Sequence, residues 1–324
     1  MPPRRVIGVD MGGTKLLAGA VDAGLRVHHR AQRQVLGLDQ PTLLNTVQAA
    51  VEEVVDQIGG EAAGVGFGIP SLIDRRRGVS VRSVHLPLEE VAFAARMTER
   101  LGLPVAVDND ANLAALAEQR AGAARGASEV VLLTLGTGIG GGLILGGQLY
   151  RGALGAAGEL GHMVVDLDGP RCYGECPSRG CIEALASGTA LAEEALRAAH
   201  RQPSSGLGRA LADGRQLAGP LVTELAHDGD AAAVEVLRLI GSRLGVGIAS
   251  LVNIFNPEVV VIGGGVIGAG ELLLGPAREE VARRALPPSR DEVRIVAAHF
   301  GVEAGMIGAA LLALDEFGTR AHDR

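Results

Sequence analysis

The residues best suited to chemistry stand in three groups. The 324-residue chain has only three cysteines, Cys172, Cys176 and Cys181. His162 lies just ahead of them and Glu183 just after. Zn²⁺ favours four nitrogen and sulfur ligands in a tetrahedron, and a closed Cys₃His set suits a structural rather than a catalytic ion. An odd number of clustered thiols makes a poor disulfide framework. Free thiols are the alternative, but they leave the clustering without a reason.

A second group is Asp10-Met11-Gly12-Gly13-Thr14-Lys15, in a turn between two apolar runs. Glycines let backbone N–H groups reach phosphate oxygens, Thr and Lys add donors, and an Asp can meet a metal ion on the phosphates. The Gly8 to Lys15 stretch nearly matches a Walker A loop. It ends Gly-Thr-Lys rather than Gly-Lys-Thr and leads into a strand, not a helix. A plain hairpin turn is the competing reading. The third group is Val-Ala-Val-Asp-Asn-Asp-Ala-Asn over Val105 to Asn112. A strand ends there before a helix, where open α/β sheets place ligands. Asp110 is either a helix N-cap or a general base taking a hydroxyl proton during phosphoryl transfer.

The elements that must position these groups follow from periodicity. Val6 to Val9 reads as a strand with Leu16 to Val21 as its hairpin partner, and Ala63 to Ile69 and Val105 to Val107 as further strands. Pro41 to Ile58, Leu88 to Leu101 and Asn112 to Ala121 read as helices. The pattern then recurs. The strand Val130 to Leu135 runs into Gly136-Thr137-Gly138-Ile139-Gly140-Gly141-Gly142, and Leu143 to Leu145 returns. Helices are expected at Thr189 to Ala199, Ala231 to Phe255 and near Glu303 to Asp315, with a strand at Val259 to Ile262. Such alternation indicates α/β architecture. A boundary is expected near residue 120, giving lobes 1–120 and 121–300 and a terminal segment 301–324.

Both Gly136 to Gly142 and Gly263 to Gly268 contain G-x-G-x-x-G. The first leads into a strand, so it argues for a phosphate-cradling hairpin rather than a dinucleotide fingerprint. The second precedes helix-compatible sequence. A nucleotide contact and a close-packing turn are both open there.

Composition narrows the classes. The chain is 47% hydrophobic and 21% charged, enough for a sizeable core. Its net charge is -7, and aromatics are 2% with no Trp. An acidic chain without a basic stripe or stacking platforms is a poor nucleic-acid binder. No stretch is long and apolar enough for a bilayer span, and Met1 to Arg5 lacks a signal-peptide pattern, so a cytoplasmic protein is expected.

Taken together, these motifs resemble the ROK family of sugar kinases, and its bacterial glucokinases in particular. The resemblance runs from Asp10 to the last helix. It implies an actin-like, ribonuclease H-like ATPase fold of two lobes, with the active site in the interlobe cleft and the last helix packed on the first lobe. It implies that Gly8, Asp10, Gly12, Gly13, Thr14 and Lys15, with Gly136, Thr137, Gly138, Gly140 and Gly141, hold Mg-ATP phosphates. Gly264 and Gly265 would lie near the adenosine. Asp110 would be the base for the sugar 6-hydroxyl. Ser71, Asn109, Asp110, Glu159, His162 and Glu183 would contact the sugar. His162, Cys172, Cys176 and Cys181 would bind structural zinc.

Two departures stand out. The family pattern Gly-Ile-Pro-Gly is Gly68-Ile69-Pro70-Ser71 here, and the added hydroxyl is placed to alter sugar preference. The zinc stretch Cys-x-Cys-Gly-x-x-Gly-Cys is lengthened between Cys172 and Cys181. The expected activity is conversion of glucose to glucose 6-phosphate by a homodimer or homotetramer. N-acetylglucosamine, N-acetylmannosamine, mannose, fructose and allose are alternative substrates, and polyphosphate is an alternative donor. A sugar-responsive transcriptional regulator and a dinucleotide-dependent oxidoreductase are the competing classes. The regulators of the family carry an N-terminal helix-turn-helix, for which Asp10 leaves no room ahead of the phosphate turn.

Overall fold

The computed structural model describes residues 5–83 and 85–318. The opening Met1–Arg4 and the end of the 301–324 segment beyond Gly318 lie outside them. The chain folds as two compact units. One comprises Met1–Gly122, Leu149–Ala157 and Val302–Arg324; the other comprises Ala123–Gln148 and Gly158–Gly301.

In the first unit, β1 (Arg5–Met11), β2 (Lys15–Asp22) and β3 (Val27–Gln34) form an antiparallel meander. Helix α1 (Gln40–Gln57) leads to β4 (Val65–Ile69), then a small hairpin of β5 (Ser71–Asp74) and β6 (Val79–Ser83). Next come α2 (Phe93–Leu101), β7 (Val105–Asn109) and α3 (Asp110–Ala121). The sheet order is β3-β2-β1-β4-β7, with β1, β4 and β7 mutually parallel. Val65–Ile69 is buried throughout, as expected of a central parallel strand covered on both faces.

The second unit repeats the scheme. Strands β8 (Val130–Leu135) and β9 (Ile139–Leu145) pair antiparallel, and β10 (Gln148–Leu149) adds an edge. Five helices follow: α4 (Ile182–Ala186), α5 (Gly188–Arg201), α6 (Gly206–Ala212), α7 (Gly219–His227) and α8 (Ala231–Phe255). Then come β11 (Val259–Gly263), α9 (Glu271–Arg284), α10 (Ser289–Glu292) and β12 (Arg294–Ala297). The sheet order is β10-β9-β8-β11-β12, with β8, β11 and β12 parallel. Asp230 caps α8 by accepting the Ala233 N–H at 3.0 Å, and Asn256 ends it in the left-handed region before Pro257. This helix lies in the core of its unit, with Leu237, Ile240, Leu244 and Ile248 fully buried.

The last helix, α11 (Ala304–Phe317), belongs to the first unit and packs on β1, β4 and α3. The approach is backbone on backbone. A Cβ on Gly8 would stand 2.1 Å from the Met306 carbonyl oxygen, and one on Gly66 1.8 Å from that of Ala309. No side chain fits at either position without displacing the helix.

Several elements differ from the sequence expectation: the returning strand β9 begins at Ile139 rather than Leu143, and β5, β6, β10, β12, α4, α6, α7, α9 and α10 carry no expectation. The helix expected from Leu88 starts only at Phe93. Residues before it are held as a turn: Ser80 and Val91 exchange backbone hydrogen bonds at 2.9 Å, and the Ser80 hydroxyl donates to the Leu88 carbonyl at 2.7 Å. The strand Val27–Gln34 carries no clear apolar alternation because it is the charged edge of its sheet.

Candidate active site

Parallel strands align their carboxyl ends, and in the first unit this gathers the acidic residues. In register, Asp10 of β1 faces Gly68 of β4, and Gly68 faces Asp108 of β7. Asp110 follows at the start of α3. The cap of that helix is Asn109, not Asp110: its Oδ1 accepts the N–H of Ala111 at 3.0 Å and of Asn112 at 3.1 Å. The Asp110 carboxylate accepts the Ala111 N–H at 2.9 Å. Asn109 Nδ2 donates to the Ser71 carbonyl at 3.4 Å.

Ser71 is buried, and its hydroxyl is engaged inside the β5–β6 hairpin. It lies 2.6 Å from the Ser80 hydroxyl and donates to the Arg82 carbonyl at 2.8 Å. Its backbone φ is not positive, so a serine fits where the family has glycine. The Ser71 carbonyl oxygen is the atom that meets the Asn109 amide.

The first turn is a tight hairpin in which Gly12 N–H donates to the Lys15 carbonyl at 2.8 Å. Thr14 and Lys15 are exposed. Gly8 stands apart from this turn, within β1, and its bare Cα admits α11. The Asp10 carboxylate lies against the first turn of α11, where a Cβ on Gly305 would come within 2.6 Å of both carboxylate oxygens. Burial, and next the Asp110 charge, push the Asp10 carboxyl up to about 7.

The second unit holds the matching turn. Gly136, Thr137 and Gly138 connect β8 to β9, as Gly12, Gly13 and Thr14 connect β1 to β2. The loop is braced from two sides. Glu183 Oε2 accepts the Ile139 N–H at 2.8 Å, and the Gly136 carbonyl accepts the Gly188 N–H at 2.8 Å. A Cβ on Gly138 would stand 2.3 Å from Glu183 Oε2. Gly140 and Gly141 lie on β9 itself. Gly141 makes room for the neighbouring turn, since a Cβ there would stand 2.4 Å from the Gly158 carbonyl oxygen. That turn carries Glu159 and His162, both exposed, with His162 Nε2 4.0 Å from Glu159 Oε2. Gly264 and Gly265 follow β11. Gly264 has φ 84° and backs onto the Leu135 carbonyl.

His162, Cys172, Cys176 and Cys181 converge so that one ligand atom from each lies within 4.8 Å of the others. Cys172 Sγ is 3.6 Å from His162 Nδ1, and the sulfurs of Cys176 and Cys181 are 3.9 Å apart. Metal–sulfur bonds of ~2.3 Å in a tetrahedron imply ligand separations of about 3.7 Å. The lengthened loop closes on itself: Cys172 N–H donates to Ser178, and Gly180 N–H to Pro170. Burial pushes the Cys172 and Cys181 thiols up, so an ion there must displace their protons. The group can hold a metal. Glu183 Oε1 lies 3.7 Å from Cys172 Sγ, so one carboxylate touches both the thiol cluster and the glycine turn.

A sequence model of the ROK family matches residues 6–316. The chain belongs to the ROK family. It is 37% identical to a glucokinase of Thermotoga maritima over 321 residues, covering 98% of this chain and all of that one. It is 35% identical to a glucokinase of Streptomyces coelicolor, covering 95% of this chain and 96% of that one. A crystal structure of a ROK family glucokinase from Streptomyces griseus, in complex with glucose and AMPPNP, superposes with a TM-score of 0.86 at 36% identity. It covers 96% of this chain and 99% of that one. The fold is therefore the two-lobed actin-like α/β fold of ROK kinases.

Sequence reasoning did not single out Asp108, Arg151 or Gly305. Asp108 stood in the same short motif as Asp110, whereas Arg151 and Gly305 carry no local signal. The acidic pair yields a pH prediction. A carboxyl raised from 3.8 to about 7 in the folded state keeps a proton that the unfolded chain has released. Stability contributed by this residue therefore falls as pH rises through that window. In metal-free buffer, the thermal midpoint of the wild type relative to Asp10→Asn declines between pH 5 and pH 8. A difference that stays flat across this range contradicts the assignment.

Proposed function

We propose that the protein is an ATP-dependent glucokinase that transfers the γ-phosphoryl group of Mg-ATP to the 6-hydroxyl of glucose. The observation that carries this reading is the full-length likeness to glucokinases, one of them solved with glucose and a nucleotide. The site geometry supports it. Asn109 does the helix capping, which is the structural alternative for Asp110. Asp110 accepts the proton of the 6-hydroxyl, the sugar oxygen attacks the γ-phosphorus, and the bond to the ADP oxygen breaks.

The Gly12–Lys15 turn and the Gly136–Gly138 turn supply backbone and side-chain donors for the phosphates. Mg²⁺, when bound, neutralises charge developing on the phosphate oxygens, and Asp10 is the carboxylate placed to meet it. Gly264 and Gly265 serve the adenosine side. Asn109, Glu159, His162 and Glu183 hold sugar hydroxyls, a set that penalises analogues lacking one. Ser71 takes part through its carbonyl, by aiming Asn109, rather than through its hydroxyl.

The ion held by His162, Cys172, Cys176 and Cys181 is zinc. A closed three-sulfur, one-nitrogen set with these separations fits a structural site. Reduced thiols of this kind fit a cytoplasmic enzyme. A symmetric homodimer or homotetramer is the assembly that base rates favour.

Two outcomes follow. In a coupled ADP-release assay with Mg-ATP across hexoses and N-acetylhexosamines, glucose gives the highest kcat/KM, and the product is glucose 6-phosphate. Turnover confined to another sugar corrects the substrate. Turnover only with polyphosphate corrects the donor. Elemental analysis finds one zinc per chain in the purified protein, and Cys172→Ser loses it together with several degrees of thermal midpoint. A metal-free wild type with an unaltered melting curve contradicts the zinc assignment.

A further inference from the structure

Asp108 is buried beside the proposed base and has no part in the proposed chemistry. Its side chain is only 3% exposed. A carboxylate removed from water must find donors, and this one finds them on both oxygens. Oδ1 accepts the Asn109 N–H at 2.9 Å and the Asn112 Nδ2 at 3.2 Å. Oδ2 receives Nε and Nη2 of Arg151, each at 2.7 Å. Arg75 Nε stands farther off, at 3.8 Å, and its Nη2 is paired with Glu316.

Arg151 is itself held. It lies in the Leu149–Ala157 segment, which belongs to the first unit. The Ala157 N–H donates back to its carbonyl at 3.1 Å, and Arg151 Nη1 reaches the Leu149 carbonyl at 3.4 Å. Gly155, at φ 79°, sits so close to the Ile73 carbonyl that a Cβ would stand 2.4 Å from its oxygen. The guanidinium therefore approaches Asp108 from a fixed direction.

We infer that the Asp108–Arg151 ion pair is a positioning device for Asp110, an inference that rests on the function proposed above. Two guanidinium donors converge on one carboxylate oxygen and fix the plane of the group. That plane aims the other oxygen at Asn109 N–H and at the Asn112 side chain. These two partners flank Asp110 in the chain, one before it and one two residues after it. The direction of the Asp110 side chain is thus set from both sides by a charge pair outside the residues proposed to hold sugar and nucleotide. Without Arg151 the buried charge loses its two short partners, and the Asp108 carboxylate turns away to regain water or Arg75. The Asn109–Asn112 backbone then loses its anchor. Misplacing a reacting group by about 1 Å costs on the order of 10²-fold in rate.

The test compares wild type, Arg151→Met and Arg151→Lys in glucose-dependent ADP release, well below each melting midpoint, with hydrogen exchange of the peptide spanning residues 105–115. The pair as a positioning device predicts that Arg151→Met lowers kcat about 10²-fold, leaves KM for ATP within about twofold, and speeds exchange in that peptide. Arg151→Lys, which keeps the charge, recovers part of the loss in both readouts. A lowered midpoint with wild-type kcat and unchanged exchange overturns the inference and leaves the pair a purely structural one. If Arg151→Met does not fold, Arg151→Lys decides alone: a reduced kcat at unchanged ATP KM supports the inference, and wild-type kcat overturns it. If the wild type releases no ADP with any sugar, the functional reading falls. The exchange measurement still shows whether Arg151 holds the Asn109–Asn112 backbone.

Discussion

In the first unit the Asp10 carboxyl is raised to about 7 by burial first and by the charge of Asp110 second. Like charges in a sheltered site repel, so the fold must oppose that repulsion. It does so with helix ends. Asp110 opens α3, and the Asp10 carboxylate rests on the first turn of α11. A helix N-terminus carries partial positive charge and favours an anion by about 0.3–1 kcal/mol when exposed, and by more when partly buried. In the proposed chemistry, what remains of the repulsion would strengthen the binding of a divalent cation. A single charge conflict thus links the packing of the last helix to the chemistry proposed for the first turn.

That arrangement needs α11 to come unusually near the sheet. Gly8, Gly66 and Gly305 have no side chain where one would strike the helix backbone or the Asp10 carboxylate. The glycine richness of the chain therefore serves two ends. Some glycines, such as Gly12 and Gly136, bend hairpins that present backbone donors. Others, such as Gly8 and Gly141, let backbones touch. The second unit repeats the logic with Glu183, which bonds the Ile139 N–H of the glycine turn and lies against Cys172 of the His/Cys cluster.

Much of this was legible in the sequence, for identifiable reasons. Ala63 to Ile69 and Val259 to Ile262 read as strands from their apolar runs, and the structure buries Val65–Ile69 and Val259–Gly263 throughout. The long helix, expected from Ala231 to Phe255, has those bounds in the structure. The His/Cys cluster was visible because its four residues lie within twenty residues of sequence. Other features needed three dimensions. A glycine in a glycine-rich stretch does not say whether it faces a ligand or a helix, and so Gly8 reads as part of the phosphate turn. Ser71 reads as a sugar contact, but the sequence does not show its hydroxyl bonded to Ser80 and the Arg82 carbonyl. Arg151 is 43 residues from Asp108, and no local pattern connects a guanidinium to a carboxylate over that distance.

In the proposed mechanism Asp110 acts on the proton of the sugar and not on its grip. The most direct measurement is isothermal titration of glucose into Asp110→Asn, paired with its kcat. The amide is nearly isosteric but cannot accept the proton, so glucose affinity is expected within about tenfold of wild type and a kcat lower by roughly 10²–10⁴-fold. An Asp110→Asn protein that binds glucose normally and turns it over at close to the wild-type rate would contradict it.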